Sequence, residues 1–410
     1  MFVLTIGTGV LAQNREIKFE RLGLEHGLSQ STVYCILQDR QGFLWFGTQS
    51  GVNRYDGYSF KIYQQDIFDS TSLAENVNNA MCEDRNGTLW FGSMNAAVLN
   101  RFEPELERFT RFTHNPDNPN SLSNGNVQAI YEDHTGTLWI GTQNGLNKFD
   151  REKTQFDRFF HNEQDPHSIS HNSVFSIFED RTGTLWIGTL GGGLNRFDRD
   201  RQKFSHFVNN PNNPQSLRNN IVYAIYEDRN STLWVGTEKG LNRFDRAREQ
   251  FTRFVHDPQN PHSISSDTVV SISESHRGGT AFMNVLWLGT WGGGLNMFDW
   301  EKERFSRFIP DAKNAQSLSD NTVWSIYEDR SGILWVGTHN GGVNKLDREK
   351  EQFTKVAHDP GDPYSLSNNC VLSFYRDNIG TLWVGTENGL NRFNHHSKKF
   401  THFFHNPKDP

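Results

Sequence analysis

Residues 179–189 read Glu-Asp-Arg-Thr-Gly-Thr-Leu-Trp-Ile-Gly-Thr. The Leu-Trp-x-Gly-Thr/Ser part of this stretch occurs eight times along the chain. Its tryptophans are Trp45, Trp90, Trp139, Trp186, Trp234, Trp287, Trp335 and Trp383. Successive tryptophans are 45 to 53 residues apart. A motif that recurs at such regular spacing indicates a chain built from eight copies of one structural unit.

Each copy carries the sequence pattern of four short strands. In the unit over residues 168–217, the predicted strands are residues 173–180, 185–189, 194–197 and 204–208. The first strand alternates apolar residues, and Gly183 supplies the positive φ of the tight turn after it. A polar, proline-rich connector ends the unit. Four antiparallel strands in about 48 residues are typical of one propeller blade, so we predict an all-β fold, a β-propeller of eight four-stranded repeats.

The way in which the ring closes is less determined by the sequence. Residues 17–29 resemble the fourth strand and connector of a unit and precede the repeats, which occupy about residues 30–410. Such a spare outer strand can pair with the last blade and remove its exposed edge. Eight blades in one ring are favoured, because a lone blade would expose apolar faces; the alternative is seven blades with the eighth repeat outside. The chain ends within a connector, and we expect the natural protein to continue or its reading frame to be truncated here.

The N-terminus and the composition limit where the protein acts and what it binds. Residues 1–12 contain a short apolar run and suit cleavage after Ala12, which predicts a signal peptide before a propeller domain at 13–410. The alternative is a buried N-terminal strand. Export would place the protein in the periplasm or outside the cell. The net charge of −7 argues against a nucleic-acid partner, and three cysteines in 410 residues exclude a disulfide scaffold.

Two stretches identify a family resemblance. Residues 132–142 (Glu-Asp-His-Thr-Gly-Thr-Leu-Trp-Ile-Gly-Thr) and 145–150 (Gly-Leu-Asn-Lys-Phe-Asp) resemble the two-component-regulator propeller repeat. The likeness covers roughly residues 17–408. It implies a periplasmic sensor region ahead of an immunoglobulin-like domain, a membrane helix, and a histidine kinase or diguanylate cyclase; several members detect glycan breakdown products. None of these downstream signalling parts is recognisable in the 410 residues.

The recurrent polar residues are interpreted as scaffold. The Asp-x-x-Gly-x-x-Trp run resembles the Asp-box hairpin of sialidases. Its aspartate and tryptophan recur in seven of eight units, one of which has Ser231 in place of the glycine, and this recurrence favours aspartates that accept N–H groups in their own turns. The basic residues of the third strands are expected to be solvated or locally paired. The connector histidines His114, His161, His256, His358 and His405 are expected to stabilise turns. We predict no metal site and no cofactor, since no suitable ligand spacing occurs.

Function is expected where the repeat varies, at the residue after each Gly-Thr/Ser. The second-to-third-strand turns and the connectors lie on one face of a propeller, so these residues should form an asymmetric surface there. The candidate ligand-binding residues are Gln49, Gln143, Glu238, Trp291, His339 and Glu387, with Asn172, Asn220, Asp267, Asn321 and Asn369 just before the innermost strands. An aromatic platform with amide and carboxylate groups suits a carbohydrate or peptide; neutral variation of loops is the alternative. For Trp324, packing between blades is favoured.

The leading hypothesis is a periplasmic ligand-sensing module of a two-component-type receptor, binding a small molecule or oligosaccharide and not acting as an enzyme. One alternative is a secreted propeller lyase or hydrolase for polysaccharide, with Glu238, Glu387, Asp267 and His339 as its acid/base candidates. A platform for protein–protein interaction is the third, and assembly as a homodimer stays open. The sequence does not identify the ligand.

Overall fold

The computed structural model describes residues 17–276, 285–347, 357–377, 381–394, 397 and 399–404. The predicted signal peptide over residues 1–12 lies outside the described residues. Apart from one 3₁₀ turn at Leu24–His26, the regular secondary structure described is made of β-strands. Within these residues, no helix has the length and apolar character needed to cross a membrane.

The strands form eight four-stranded antiparallel sheets in the described residues. Sheet one contains β2 (Val33–Gln38), β3 (Leu44–Thr48), β4 (Gly51–Tyr55) and β5 (Phe60–Tyr63). Sheet two contains β6 (Asn78–Glu83), β7 (Leu89–Ser93), β8 (Val98–Glu103) and β9 (Arg108–Thr113). Sheet three contains β10 (Val127–Glu132), β11 (Leu138–Thr142), β12 (Gly145–Asp150) and β13 (Gln155–Phe159). Sheet four contains β14 (Val174–Glu179), β15 (Leu185–Thr189), β16 (Leu194–Asp198) and β17 (Lys203–Phe207).

Sheet five contains β18 (Val222–Glu227), β19 (Leu233–Thr237), β20 (Gly240–Asp245) and β21 (Gln250–Phe254). Sheet six contains β22 (Val269–Glu274), β23 (Val285–Thr290), β24 (Gly294–Asp299) and β25 (Arg304–Phe308). Sheet seven contains β26 (Val323–Glu328), β27 (Leu334–Thr338), β28 (Val343–Leu346) and the N-terminal strand β1 (Glu20–Leu22). Sheet eight contains β29 (Val371–Arg376), β30 (Leu382–Thr386), β31 (Gly389–Asn394) and β32 (Lys399–Phe403). The predicted all-β propeller of eight four-stranded repeats is confirmed.

Seven of these sheets close the ring. The inner strands contact one another in the order β2, β6, β10, β14, β18, β22 and β26, and β26 contacts β2 again. Strand β1 pairs with the outer edge of β28, with Glu20 opposite Lys345 and Leu22 opposite Val343. The spare N-terminal strand predicted at 17–29 therefore closes the ring on the seventh sheet. This is the seven-plus-one arrangement that the sequence left as the alternative to one ring of eight.

The chain accordingly divides into two compact units, residues 1–348 and 349–410. The second unit holds sheet eight, whose core is a small cluster around Leu366, Val384 and Phe400. Several of its strand residues are exposed: Leu372, Phe374, Tyr375, Leu390 and Phe403.

The recurrent tryptophans hold neighbouring sheets together. Trp186 is 1% exposed, and its ring meets Phe244 of the next sheet edge-on at 5.5 Å between centroids. Its Nε1 donates to Oδ2 of Asp180 at 2.7 Å, while Oδ1 of that aspartate accepts the N–H of Thr184. Each Asp-box carboxylate thus closes its own turn and orients its own tryptophan. This confirms the prediction that these aspartates are scaffold.

The pentapeptide glycine is required by the close approach of the next sheet. A Cβ built on Gly141 would lie 2.6 Å from Cγ1 of Val174, the first residue of the following inner strand. Any side chain at this position would push the two sheets apart. The Leu-Trp-x-Gly-Thr/Ser motif therefore recurs because its tryptophan and glycine are required for packing between neighbouring sheets.

A buried asparagine on each third strand holds the connector against the ring. Asn147 is fully buried; its Oδ1 accepts the N–H of Ser123 at 2.9 Å and its Nδ2 donates to Oγ of Ser123 at 2.8 Å. Oδ1 of the equivalent residues Asn53, Asn100, Asn195, Asn242, Asn296, Asn344 and Asn391 accepts the matching N–H. The connectors are thereby fixed to the face that carries the second-to-third-strand turns.

Candidate functional site

The variable turn residues of the ring lie on one face. Each follows the last Thr or Ser of a second strand, and its N–H donates to the carbonyl of the residue just before the inner strand. These donors are Gln49, Met94, Gln143, Leu190, Glu238, Trp291 and His339. The same backbone contact with different side chains produces the asymmetric surface that the sequence predicts for this face.

Four of the predicted residues lie on consecutive sheets of the ring. Glu238, Trp291, His339 and Gln49 belong to sheets five, six, seven and one. Adjacent turns are tied by hydrogen bonds, since Oγ1 of Thr268 donates to the Glu238 carbonyl and Oγ1 of Thr32 donates to the His339 carbonyl.

The other two predicted turn residues are not members of this arc. Gln143 belongs to sheet three, two sheets away from both ends of the arc. Glu387 belongs to sheet eight in the second compact unit. There its N–H donates to the Cys370 carbonyl at 3.2 Å.

The arc centres on what we call the aromatic cluster: Tyr34, Trp291, Trp324 and His339. Trp291 is 53% exposed and meets Trp324 at 5.1 Å between ring centroids, with the planes 64° apart. Nε1 of Trp324 donates to Nδ1 of His339 at 3.3 Å, and its ring lies 5.9 Å from that of Tyr34. Three sheets thus contribute to one half-exposed aromatic surface. Trp324, for which packing between blades was favoured, belongs to this surface.

The sequence analysis missed that a β-bulge supplies part of this cluster. The pairing of the first two strands shifts register after the first residue of every inner strand, for example between Val323 and Ser325. A bulge re-aims the extra side chain, and in sheet seven that extra residue is Trp324. The bulge residues of the ring are Tyr34, Asn79, Gln128, Phe175, Tyr223, Val270 and Trp324. Their variation between repeats is the signal that could have found them.

A second aromatic pair extends this lining beside the predicted Glu238. Phe175 and Tyr223 meet edge-on at 5.2 Å between ring centroids. Burial, together with the charge of Glu238, raises the pKa of the Tyr223 hydroxyl. Tyr223 is therefore a neutral hydrogen-bond donor beside a carboxylate.

The asparagines and aspartate before the inner strands have structural partners. Oδ1 of Asn172, Asn220, Asp267 and Asn369 accepts the N–H of the residue that begins the preceding connector, at 2.6 to 2.7 Å. The carbonyls of Asn172, Asn220, Asp267 and Asn321 accept glycine N–H groups from the neighbouring turn. These contacts fix the turns that carry the variable residues. A ligand-binding role for the five remains a prediction.

Next to the arc, a cavity of about 440 Å³ lies at sheet five. Asn220 lines it together with Arg218, Lys239 and Arg253. Nε of Arg253 donates to the Ser216 carbonyl, and burial, then the charge of Arg218, lowers the pKa of its guanidinium. The arrangement can accept an anionic group beside the aromatic surface.

The remaining predicted scaffold residues behave as expected where they are described. Nδ1 of His114, His161, His256 and His358 donates to a connector carbonyl eight residues ahead, at 2.7 to 2.8 Å. Arg101, Arg196 and Arg243 on third strands pair with Glu103, Glu249 and Glu303. In the described part of the chain, no group of three or more His, Cys, Asp or Glu residues is arranged to hold a metal ion.

Comparison with known proteins agrees with this architecture. Seven stretches match the two component regulator propeller family: residues 27–50, 72–95, 121–144, 168–191, 216–239, 317–340 and 365–388. A stretch of 63 residues is 48% identical to Histidine kinase P4 of Formosa agariphila, covering 15% of this chain and 5% of the relative.

Solved structures show the same fold over most of the chain. The extracellular domain of a putative hybrid two component system from B. thetaiotaomicron superposes with a TM-score of 0.69 at 28% identity, covering 95% of this chain and 55% of that one. A second such domain from that organism gives a TM-score of 0.64 at 22% identity, covering 95% and 54%. The chain thus spans about half the length of these solved domains.

A lyase also shares the propeller fold. Virginiamycin B lyase from Staphylococcus aureus gives a TM-score of 0.58 at 15% identity, covering 81% of this chain and 99% of that one. At this identity the likeness concerns the fold alone. The matched repeats, the motif that defines them and the receptor domain with the same fold together show that this chain belongs to the two component regulator propeller family.

Proposed function

We propose that this propeller is the ligand-sensing module of an exported two-component-type receptor, and that a glycan-derived or other small ligand binds at the aromatic cluster. The family membership and the likeness to extracellular receptor domains support the sensor assignment. The single observation that carries the ligand surface is the half-exposed Trp291, held edge-on against Trp324, whose Nε1 donates to Nδ1 of His339.

The chemistry of the surface suits a ligand with both an apolar face and polar edges. Indole rings offer large, rigid contact area on which the C–H face of a sugar ring can stack. Glu238 and Gln49, on the turns that flank Trp291 and His339, offer hydrogen-bond acceptors and donors. The cations around Asn220 would favour a ligand that also carries a carboxylate or sulfate.

Isothermal titration calorimetry with a panel of neutral and acidic oligosaccharides tests the proposal. We expect Trp291→Ala and Trp324→Ala to weaken binding by about tenfold or more, the loss typical of a buried aromatic anchor. Tyr58→Ala is the matched control, because Tyr58 is 95% exposed and lies in a third-to-fourth-strand turn, on the opposite face. Unchanged affinity in both tryptophan variants would place the ligand elsewhere.

The same samples distinguish the alternative functions. Chromatography of the oligosaccharides after incubation reveals turnover, and turnover that Glu238→Gln abolishes would establish a propeller enzyme. Binding of a protein alone, with no oligosaccharide affinity, would establish an interaction platform. A sensor module binds its ligand without converting it.

A further inference from the structure

Within the described residues, three interfaces between neighbouring sheets are joined by an arginine held between two carboxylates. Nη1 of Arg151 donates to Oδ2 of Asp84 at 2.6 Å, and its Nη2 donates to Oε1 of Glu132 at 2.8 Å. Arg199 joins Asp133 and Glu179, and Arg246 joins Asp180 and Glu227, with the same atoms at 2.5 to 2.8 Å. In each case the Asp-box aspartate comes from the preceding sheet and the glutamate ends an inner strand.

The interface between sheets one and two keeps both carboxylates but lacks the arginine. Asp39 and Glu83 occupy the aspartate and glutamate positions, and the residue aligned with Arg151 is Pro104. Asp39 is 5% exposed and accepts Nε1 of Trp45 at 2.7 Å. In the described part of the chain, no arginine donates to it.

A cavity lies where the arginine side chain would be. It measures about 230 Å³ and is lined by Asp39, Glu83, Pro104 and Trp45. The volume is below the 300–1,000 Å³ typical of pockets for drug-sized molecules, so it fits one small group. Trp45 forms one wall, just as Trp90 lies 5.9 Å from the Arg151 guanidinium.

The basic residues around the cavity do not make it unsuitable for a cation. Arg40 and Arg54 also line it, and Nε of Arg40 lies 4.0 Å from Glu83. In sheet two, Arg85 corresponds to Arg40 and lies 3.5 Å from Glu132, which holds Arg151, whereas Arg101, at the position of Arg54, pairs with Glu103. A basic residue at the Arg40 position is therefore compatible with a bound guanidinium, as Arg85 shows beside Arg151.

We propose that the Asp39–Glu83 cavity binds a guanidinium group from outside the chain, either an arginine side chain of a polypeptide or a small guanidinium compound. The planar guanidinium of the ligand donates one hydrogen bond to each carboxylate, as those of Arg151, Arg199 and Arg246 do. An ammonium group does not reproduce this geometry. The cavity lies at the first-to-second-strand turns, on the face opposite to the aromatic cluster. It is a second binding site, independent of the proposed sensing surface.

Calorimetric titration of the whole chain with methylguanidinium and with the blocked tripeptide acetyl-Gly-Arg-Gly-amide tests this site. Binding of either probe, with ethylammonium at equal ionic strength at least about tenfold weaker, supports the proposal, because the bidentate bonds are lost with an ammonium. Tighter binding of the tripeptide assigns a polypeptide arginine; equal affinity assigns a small compound. Absence of binding by both probes would overturn the proposal.

Pro104→Arg is the decisive variant, because it supplies the missing side chain in cis. The turn is compatible, since Glu107 and Thr154, three residues after Pro104 and Arg151, share φ values of 51° and 57°. We expect this variant to raise the melting temperature and to abolish probe binding, whereas Pro104→Ala retains it. Glu83→Gln should weaken binding and Glu132→Gln, whose neighbour Arg151 is already present, should leave it unchanged. Equal binding in wild type and Pro104→Arg would refute the site.

Discussion

The guanidinium of Arg199 crosses from sheet four to sheet three and donates to the Oδ2 of Asp133 at 2.6 Å. The same oxygen accepts the indole N–H of Trp139, so one buried carboxylate orients the core tryptophan of its own sheet and receives a cation from the next. Arg151 and Arg246 repeat this relationship at two further interfaces. The ring is thus held by charge-assisted bonds as well as by aromatic packing.

Removal of the cation should destabilise the ring. In Arg199→Ala, the Asp133 carboxylate stays buried without its charged partner, which costs about 1–3 kcal/mol of unfolding free energy once the partial exposure of the arginine is allowed for. Urea unfolding followed by tryptophan fluorescence measures the change. Arg201→Ala is the control, since its pair with Asp198 lies on the surface and should contribute less than about 0.5 kcal/mol. Equal losses in the two variants would contradict the assignment.

The Asp133 carboxylate should make the free energy of unfolding depend on pH in the acidic range. Burial alone would raise the pKa of Asp133, but hydrogen bonds from Thr135, Trp139 and Arg199 lower it from 3.8 to about 2. A carboxyl whose pKa is lower in the folded state stabilises the fold above its unfolded value, and this contribution is lost as the pH falls from 3.8 towards 2. Asp84 and Asp180 also have lowered pKa values and add to the effect.

Urea titrations between pH 5 and pH 2 measure this dependence. The unfolding free energy should fall steadily with pH in the wild type, and the fall should be shallower in Asp133→Asn, which is already less stable at pH 5. Asp198→Asn is a surface control that should retain most of the wild-type slope, because its carboxylate is partly exposed. An unchanged slope in Asp133→Asn would assign the acid sensitivity to other groups.

The sequence predicted the contacts that form within each repeat, but it did not determine the contacts between residues that are far apart in the chain. The Asp-x-x-Gly-x-x-Trp run predicted the hairpin, the buried tryptophan and the turn role of Asp180, because these contacts form within a dozen residues. The sequence also predicted a closing strand at residues 17–29, but which sheet it completes depends on the pairing of Leu22 with Val343, and a local pattern does not identify that partner.

Some residues of the candidate site could likewise be predicted from a local pattern, and others could not. Trp291 and His339 could be found because they vary at a fixed turn position, and the structure places them on adjacent sheets. Trp324 and Tyr34 reach them through a bulge on the inner strand, and alternation alone assigns a bulged residue to the wrong face. The position of Asn172 and its equivalents was read correctly, but their backbone partners depend on the connector folding back.

The buried asparagine of the third strand should be important for stability. Asn147→Ala leaves the N–H of Ser123 without its acceptor and the carbonyl of Ile140 without the Asn147 donor, while the Ser123 hydroxyl keeps Thr142 as a partner. Unsatisfied buried groups cost about 1–3 kcal/mol each, so we expect a loss of about 2 kcal/mol or more in urea unfolding. Asn144→Ala, a change at an exposed turn residue three residues earlier in the chain, should stay within about 0.5 kcal/mol. A small effect of Asn147→Ala would mean that the connector is held by other contacts.

The three cysteines should differ in reactivity because only one is exposed. Burial raises the pKa of Cys35 and of Cys82 to about 12, so neither forms much thiolate near neutral pH. Cys370 is exposed, and a hydrogen bond to Glu387, with minor contributions from burial and from the charge of this carboxylate, raises its pKa. Alkylation of the folded protein by iodoacetamide at pH 8, followed by peptide mass spectrometry, should therefore label Cys370 first.

Glu387→Gln should accelerate that labelling by removing the charge that disfavours the thiolate, whereas Glu163→Gln, at an exposed position in the ring, should not. Earlier labelling of Cys35 or Cys82, or an unchanged rate in Glu387→Gln, would contradict this account of the three thiols.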